Sequence, residues 1–135
     1  MEALNPIFGS DMGLADFKEA LPEALEASGN AVWTIVGPVP GHDAMPIGLV
    51  IGLVRDRIIH DTHAVWFPWA TPRTTLEAAK EFFEVMRREY FVKVFAREEF
   101  ERFFDAVVST GALKRGNRFY GMYPGKAAIF YYAKV

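Results

Sequence analysis

The chain has 135 residues, of which 51% are hydrophobic and 24% are charged, a balance that fits one packed globular domain. Its net charge of −2 and its pI of about 5.9 provide no basic surface for wrapping nucleic acid or adhering to an anionic membrane. It contains no cysteine, which excludes a disulfide framework, a thiolate metal site and a cysteine nucleophile.

The first 29 residues are predicted to form a lead-in followed by one helix. Residues 1–10 contain chain breakers and lack the basic and apolar regions of a secretory signal, so we expect a protein that is not secreted. Apolar side chains then recur at helical spacing, and Pro22 inside this pattern is expected to kink or split the helix before Gly29 ends it. The apolar stripe consists of Leu14, Phe17, Leu21 and Leu25.

Three strands are predicted to follow. Residues 31–36, 47–54 and 58–66 are apolar, β-favouring runs, all far shorter than the roughly 20 residues that a membrane-spanning helix needs. Residues 37–43 are predicted as a loop, because two prolines and two glycines are not expected to sustain a ladder. A charged turn at residues 55–57 separates the second strand from the third.

Simple alternation assigns the two faces of the third strand. Successive side chains of a strand point to opposite sides, so Ile59 and His63 are predicted on one face and His60 on the other. Two histidines on opposite faces cannot share a metal ion, and we therefore predict no metal site in this strand.

A central helix is predicted after the breakers of residues 68–73. Thr74-Thr75-Leu76-Glu77 matches a capping box, with Thr74 as the N-cap and Glu77 three residues later. The buried stripe of this helix is predicted to comprise Leu76, Ala79, Phe82, Phe83 and Met86.

A further strand and helix are predicted next. Residues 90–95 form a nearly continuous apolar run, which indicates a central strand covered on both faces. A helix is predicted from Arg97 to Gly111. Its apolar face is formed by Phe100, Phe103, Phe104 and Val107 at i, i+3, i+4 and i+7.

The last strands are predicted at residues 118–120 and 127–134. The edge of residues 128–132 is a candidate surface for pairing with a second copy of the chain, which would make a homodimer. The whole pattern predicts a single α+β domain over residues 1–135, of the three-layer α/β kind.

The order of these elements resembles that of the acyl-CoA N-acyltransferase (GNAT) fold. Residues 66–73 read WFPWATPR and are similar to a segment of GNAT-like proteins encoded by tailed bacteriophages, several of which are described as internal virion or acyltransferase-like proteins. The same group has a Phe-Phe helix followed by a segment of the form YGVL-RR-G. The counterparts are Phe103-Phe104 and residues 110–116, so the resemblance covers roughly residues 31–135.

The resemblance implies a particular fold and cofactor. The fold would be a mixed, mostly antiparallel twisted sheet with a splayed central parallel pair and helices on both faces. The cofactor would be acetyl-CoA, with an amine as acceptor and neither a prosthetic group nor a metal. The protein would lie in the host cytoplasm or in the virion, with other virion proteins as partners, and neither nucleic acid nor a membrane is expected as a partner.

In this family the pyrophosphate of CoA lies on the N-terminus of the central helix, where a glycine-rich signature lets the backbone approach the phosphates. The matching residues 72–77 contain no glycine. The resemblance then implies phosphate contacts from Arg73, Thr74 and Thr75, with Trp69 of the aromatic cluster beside them. Alternatively, Thr74 caps the helix and Arg73 is a solvated charge, while the aromatic cluster of residues 66–69 either lines a pocket or fills it.

Catalysis in this family uses a general base and usually a tyrosine acid on the last helix. The matching helical residue is Phe104, which has no proton to donate. The resemblance therefore implies His63 as the base and Tyr120 or Tyr123 as the acid. The alternatives are an exposed strand histidine and two tyrosines that serve packing or turn formation. Two functions stay open: an acyl-CoA N-acyltransferase with a degenerate CoA motif, and a non-catalytic protein of phage or prophage that is virion-associated or interacts with the host.

Overall fold

A computed structural model describes residues 30–135, apart from the side chain of Asp61. The predicted lead-in and first helix lie outside the described residues. The described part contains six strands, two α-helices and one 3₁₀ turn. In chain order these are β1 (Asn30–Val39), β2 (His42–Arg55), β3 (Ile58–Trp66), α1 (Pro72–Met86), β4 (Phe91–Arg97), the 3₁₀ turn (Glu98–Phe100), α2 (Glu101–Ser109), β5 (Lys114–Tyr123) and β6 (Lys126–Ala133).

The six strands form one sheet in the order β1-β2-β3-β4-β6-β5. Neighbours are antiparallel except β3 and β4, which are parallel and are connected through α1. The predicted α+β class with a mixed, mostly antiparallel sheet is confirmed. The predicted edge at residues 128–132 is wrong, because β6 lies between β4 and β5 and both of its edges are already paired.

One face of the sheet carries both described helices. Phe83 of α1 and Phe104 of α2 are fully buried in a single cluster with alternate side chains of β4 and β6. The predicted stripe of α1 is confirmed, since its residues either belong to this cluster or pack against it. The main buried strand residues of the cluster are Val50, Ile59, Ala64, Val92, Val94, Ala96, Ile129, Tyr131 and Ala133.

The β1–β2 hairpin extends through most of the segment predicted as a loop. Gly37 pairs with Met45 and Val39 pairs with His42, which leaves only a turn at Pro40-Gly41. A register shift between Gly37 and Val39 lies at Pro38, which has no N–H to give to a ladder, and another shift lies between Ile35 and Val36. The loop prediction for residues 37–43 was wrong because an irregular ladder tolerates the prolines that a regular one would reject.

A β-bulge interrupts the alternation of β3. Leu53 of β2 pairs with His60 and Ile51 pairs with His63, so two residues of β3 stand opposite one residue of β2. Because Ile51 and Leu53 point to the same face, His60 and His63 also share a face. The predicted opposition of the two histidines was therefore wrong. The bulge inverts the faces beyond it, and Ala64 joins Ile59 on the helix side of the sheet.

A charged network fastens α2 to β5 and β6. The guanidinium of Arg115 lies 2.7 Å from Glu101 and 2.9 Å from Asp105, and Arg118 also pairs with Glu101 at 3.0 Å. The hydroxyl of Tyr131, a fully buried residue, donates a hydrogen bond to Asp105 at 2.8 Å. Burial and this hydrogen bond raise the pKa of Tyr131 above its usual value. The network therefore joins the exposed side of α2 to a residue at the centre of the core.

Replacing Tyr131 by phenylalanine should lower the free energy of unfolding by about 1–2 kcal/mol, because a buried hydrogen bond to a carboxylate is lost while the ring remains. Chemical denaturation of both proteins at neutral pH measures the difference. The matched control is Tyr132→Phe, whose ring stacks on Phe91 and Phe130 and keeps both contacts.

The wild type and Tyr131→Phe should also differ in how their stability changes in alkaline solution. A raised pKa in the folded state means that the contribution of Tyr131 is complete below pH of about 10 and is lost as the pH rises above it. The wild type should then lose up to about 1.4 kcal/mol more per pH unit than Tyr131→Phe. Equal pH dependence of the two proteins above pH of about 10 would contradict a buried, neutral tyrosine.

Candidate functional site

The parallel ladder between β3 and β4 is short. It contains two residue pairs, Ile58 with Phe91 and Ile59 with Val92, and the N–H of Phe91 donates to the carbonyl of Arg57 at 2.9 Å. Both strands continue well beyond this ladder. We call the region between residues 60–66 of β3 and residues 93–97 of β4, where no ladder pair joins the strands, the strand gap.

The far end of β3 is held by β2 rather than by β4. The bulge after His60 adds local twist, and the N–H of Phe67 then donates to the carbonyl of Ile47 at 2.8 Å. Trp66 is buried in a small cluster with Ile47 and lies so close over Gly48 that a Cβ there would be 2.7 Å from its ring. These contacts direct the chain away from β4 and explain why the ladder ends early.

The aromatic cluster is therefore divided between the core and the surface. Trp66 belongs to the core, where it packs with Val39 and Ile47. The ring of Trp69 is 43% exposed, lies 5.1 Å from the ring of Phe67, and donates its Nε1–H to the carbonyl of Pro46 at 2.7 Å. Trp69 thus fixes the loop before α1 to the start of β2, and its bond to that carbonyl uses the only hydrogen-bond donor of its side chain.

Two side-chain hydroxyls occupy the edge of β4 that faces the gap. The hydroxyl of Thr62, which is 1% exposed, donates to the carbonyl of Lys93 at 3.1 Å. Backbone carbonyls alternate along a strand, so the carbonyl of Phe95 points to the same edge as that of Lys93. It accepts a hydrogen bond of 3.0 Å from the hydroxyl of Tyr123. Side chains of the protein itself therefore replace the missing partner strand at both carbonyls.

The N-terminus of α1 is closed by a capping box three residues earlier than predicted. Thr71 is the N-cap, and its hydroxyl accepts the N–H of Thr74 at 3.2 Å while the hydroxyl of Thr74 accepts the N–H of Thr71 at 2.9 Å. The prediction of Thr74 as N-cap with Glu77 as its partner was wrong. Thr71 and Thr74 form the box instead of Thr74 and Glu77, because Pro72 fits the first helical position.

This cap uses most of the groups that could hold a phosphate. Pro72 has no N–H, and the N–H of Thr75 donates to the carbonyl of Thr71 at 2.9 Å. The hydroxyls of Thr74 and Thr75 donate to the carbonyls of Thr71 and Pro72. Within the described residues, Arg73 therefore has the only N–H among the first three helical positions that is left for a ligand.

Arg73 itself is directed along the helix surface. Its Nε lies 3.2 Å from Glu77, with the two side chains 88% and 58% exposed. An exposed pair of this kind is screened by water and contributes little to stability. Arg73 is the most available cation at this helix end, whereas the hydroxyls of Thr74 and Thr75 are committed to the cap.

The proposed catalytic residues are spread over two parts of the sheet. His63 is exposed on β3, on the face opposite the helices, while Tyr120 is 78% exposed on β5. Tyr123 contacts the edge of β4 in the strand gap through its bond to the carbonyl of Phe95. Phe104 is fully buried and stacks on Tyr131 at 5.2 Å, which accounts for a phenylalanine at that position.

A cavity of about 510 Å³ lies beside the β5–β6 hairpin, next to Tyr123. Its lining includes Glu98 and residues 120–127. The charges at its rim are already paired, since Glu98 accepts the N–H of Ala127 at 3.2 Å and Lys126 lies 2.9 Å from Glu99. Burial opposes the charge of Glu99, but the hydrogen bond from Lys126 and the charge of Arg97 outweigh it and lower the pKa of Glu99.

Among residues 30–135, no group of three or more histidine, cysteine or acidic side chains could hold a metal ion. No helix in that part of the chain is long and apolar enough to cross a membrane. Sequence reasoning missed Thr62 as a gap residue, because nothing in residues 58–66 signals a bulge that would aim it at β4.

The chain has no counterpart in the comparisons with known proteins. No family model matches it, and no curated protein or solved structure matches it either.

Replacing Thr71 by alanine should destabilise the protein by about 1 kcal/mol, because the hydroxyl that accepts the N–H of Thr74 is lost. Glu77→Ala should change stability by less than about 0.5 kcal/mol, because it removes only an exposed ion pair. Thermal or urea unfolding of the two variants provides the comparison. A larger loss of stability for Glu77→Ala than for Thr71→Ala would contradict the observed cap and support the predicted capping box of Thr74 and Glu77.

Proposed function

We propose that the protein is a non-catalytic GNAT-like protein of a tailed phage or prophage, which acts as a virion-associated or host-interacting component. The observation that supports this proposal is the capping box at the N-terminus of α1. A pyrophosphate at a helix N-terminus needs several free backbone N–H groups, and the first three positions of α1 retain one. The WFPWATPR resemblance supports the phage origin.

The residues that the resemblance assigns to catalysis are also poorly placed for it. An acid on the last helix is replaced by the buried ring of Phe104, and the hydroxyl of Tyr123 is bonded to a backbone carbonyl. His63 and Tyr120 lie on different strands, separated in the sheet by β4 and β6. We take these residues as structural and surface residues, and we place the protein in the host cytoplasm or in the virion.

An acyl-CoA N-acyltransferase is the second candidate, because one observation favours it. The short parallel ladder and the bulge in β3 fit the splayed pair that admits the cofactor in that family. In this reading Arg73, Thr74, Thr75 and Trp69 would hold the cofactor, His63 would deprotonate the amine acceptor, and Tyr123 or Tyr120 would protonate the thiolate that leaves.

Titration with acetyl-CoA, by calorimetry and by thermal unfolding, separates the two candidates. A ligand at about 100 times its dissociation constant stabilises the folded state by about 2.7 kcal/mol. For the non-catalytic protein we expect neither heat of binding nor a rise in the unfolding temperature at about 1 mM acetyl-CoA, because the phosphate cradle is closed.

Saturable binding that disappears in Arg73→Ala would overturn the proposal and favour the enzyme. Arg88→Ala is the matched control, because Arg88 is an exposed arginine beyond the other end of α1. Mass spectrometry of purified phage particles tests the positive half of the proposal, since a virion-associated protein should be present in them.

A further inference from the structure

An apolar groove runs between β1 and α1 on the helix side of the sheet. It consists of two adjoining cavities of about 190 Å³ and 360 Å³, both lined by Trp33, Val85 and Met86. Val36 and Val85 are 54% and 41% exposed, while the buried ring of Phe82 forms the floor against Trp33, with 5.5 Å between the ring centroids. A concave surface with exposed aliphatic side chains favours an apolar occupant.

Exposed apolar side chains are not distributed over the whole sheet. Among residues 30–135, the exposed large hydrophobic side chains lie at this groove, in the loop before α1, on β5 and at residue 135. None of them lies on β2, β3, β4 or β6. The groove and β5 are therefore the parts of the described sheet at which an apolar partner would gain most.

The groove lies next to the point at which the chain enters β1. This strand begins at Asn30, and its residue Trp33 lines both cavities. The predicted apolar stripe of the preceding residues ends at Leu25, so only a few residues connect the stripe to the groove. A tether this short gives an effective concentration on the order of millimolar, without any separate partner.

The stripe and the groove have similar lengths. Phe17 and Leu25 are eight residues apart, which is about 12 Å in the predicted helix. Ala78 and Met86, which line the two ends of the groove on α1, have the same separation. An amphipathic segment of this length can bury its stripe by lying alongside α1.

The net charges of the two parts of the chain are complementary. Residues 1–29 contain six acidic residues and one basic residue, which gives a net charge of −5. The whole chain carries −2, so residues 30–135 carry +3. Opposite charges of this kind attract the N-terminal segment to the described domain and favour its docking over its release.

The charges around the groove also give the segment a direction. The end nearest to the start of β1 has three basic and two acidic side chains in its lining and in the adjoining cavity, whereas Glu81 lies at the other end. In the segment, Glu23 and Glu26 flank Leu25, and Lys18 lies seven residues earlier. The acidic end of the segment therefore faces the basic end of the groove when the segment runs antiparallel to β1.

We propose that the groove between β1 and α1 is the docking site of residues 11–28 of the same chain, with Leu25 against Val85 and Phe17 against Val36. These residues lie outside the described part of the chain, and their apolar stripe is the one predicted from the sequence. The docking is independent of the proposed function, because it requires neither a phage origin nor the absence of CoA binding.

Pairs of introduced cysteines test the docking, because the chain contains no cysteine of its own. A disulfide needs two Cα atoms within about 7 Å, and its equilibrium with glutathione measures the effective concentration of one thiol at the other. The docked pairs are Leu25→Cys with Val85→Cys and Phe17→Cys with Val36→Cys. The exchanged pairs, Leu25→Cys with Val36→Cys and Phe17→Cys with Val85→Cys, use the same four positions and are the matched controls.

The docked pairs should have effective concentrations at least about ten times higher than the exchanged pairs, and the bridged product should be monomeric on a non-reducing gel. In the pair of Phe17→Cys with Val36→Cys, the further substitution Val85→Asp places a negative charge in the groove. It should lower the effective concentration at least about fivefold, because it repels the acidic segment. Met122→Asp, at an exposed position of β5, should leave it unchanged. Circular dichroism verifies that each full-length variant is folded.

Three results would overturn the docking. The first is an equal effective concentration in docked and exchanged pairs. The second is a bridge that joins two chains, which assigns the groove to a second copy. The third is a stronger bridge from Leu25→Cys to Ile51→Cys than to Val85→Cys, since Ile51 lies on the sheet face opposite the described helices. Titration with acetyl-CoA is a separate measurement, so the failure of either proposal is recognised independently of the other.

Discussion

The ladder between β3 and β4 ends after two residue pairs, and the course of β3 follows from that early end. One extra residue in β3 turns that strand toward β2, and the ladder with β4 stops at Ile59 and Val92. The same residue inverts the faces of β3, so that Trp66 enters the core beneath α1. A single irregularity therefore determines the strand gap, the position of the aromatic cluster and the shared face of His60 and His63.

A gap in a sheet leaves backbone groups that must find partners, because a buried unpaired carbonyl is costly. The two hydroxyls at the edge of β4 meet this requirement with the chain's own atoms, and the capping box of α1 does the same for N–H groups at that helix end. An enzyme that bound its cofactor here would leave the same groups for the ligand. Internal contacts thus satisfy both the edge of β4 and the end of α1, and the architecture of the sheet does not by itself determine an activity.

Much of the architecture could be predicted from the sequence, whereas the site could not. The bounds of β3 and the buried stripe of α1 follow from local composition and periodicity, and the structure has them as predicted. The cap of α1 was misplaced because two overlapping Thr-x-x patterns compete, and only tertiary context together with Pro72 decides between them. The bulge was missed because β3 contains no glycine or proline to signal it.

The role of Tyr123 depends on a contact between residues 28 positions apart in the chain, which no local pattern reveals. That contact also bears on its proposed chemistry. A hydroxyl that donates its proton to the carbonyl of Phe95 cannot donate the same proton to a leaving thiolate. Catalysis by Tyr123 would require the hairpin to release it first, and release would leave the carbonyl of Phe95 without its partner. Tyr123 therefore cannot serve both uses at once. In the structure its hydroxyl serves the structural use, because it donates to the carbonyl of Phe95.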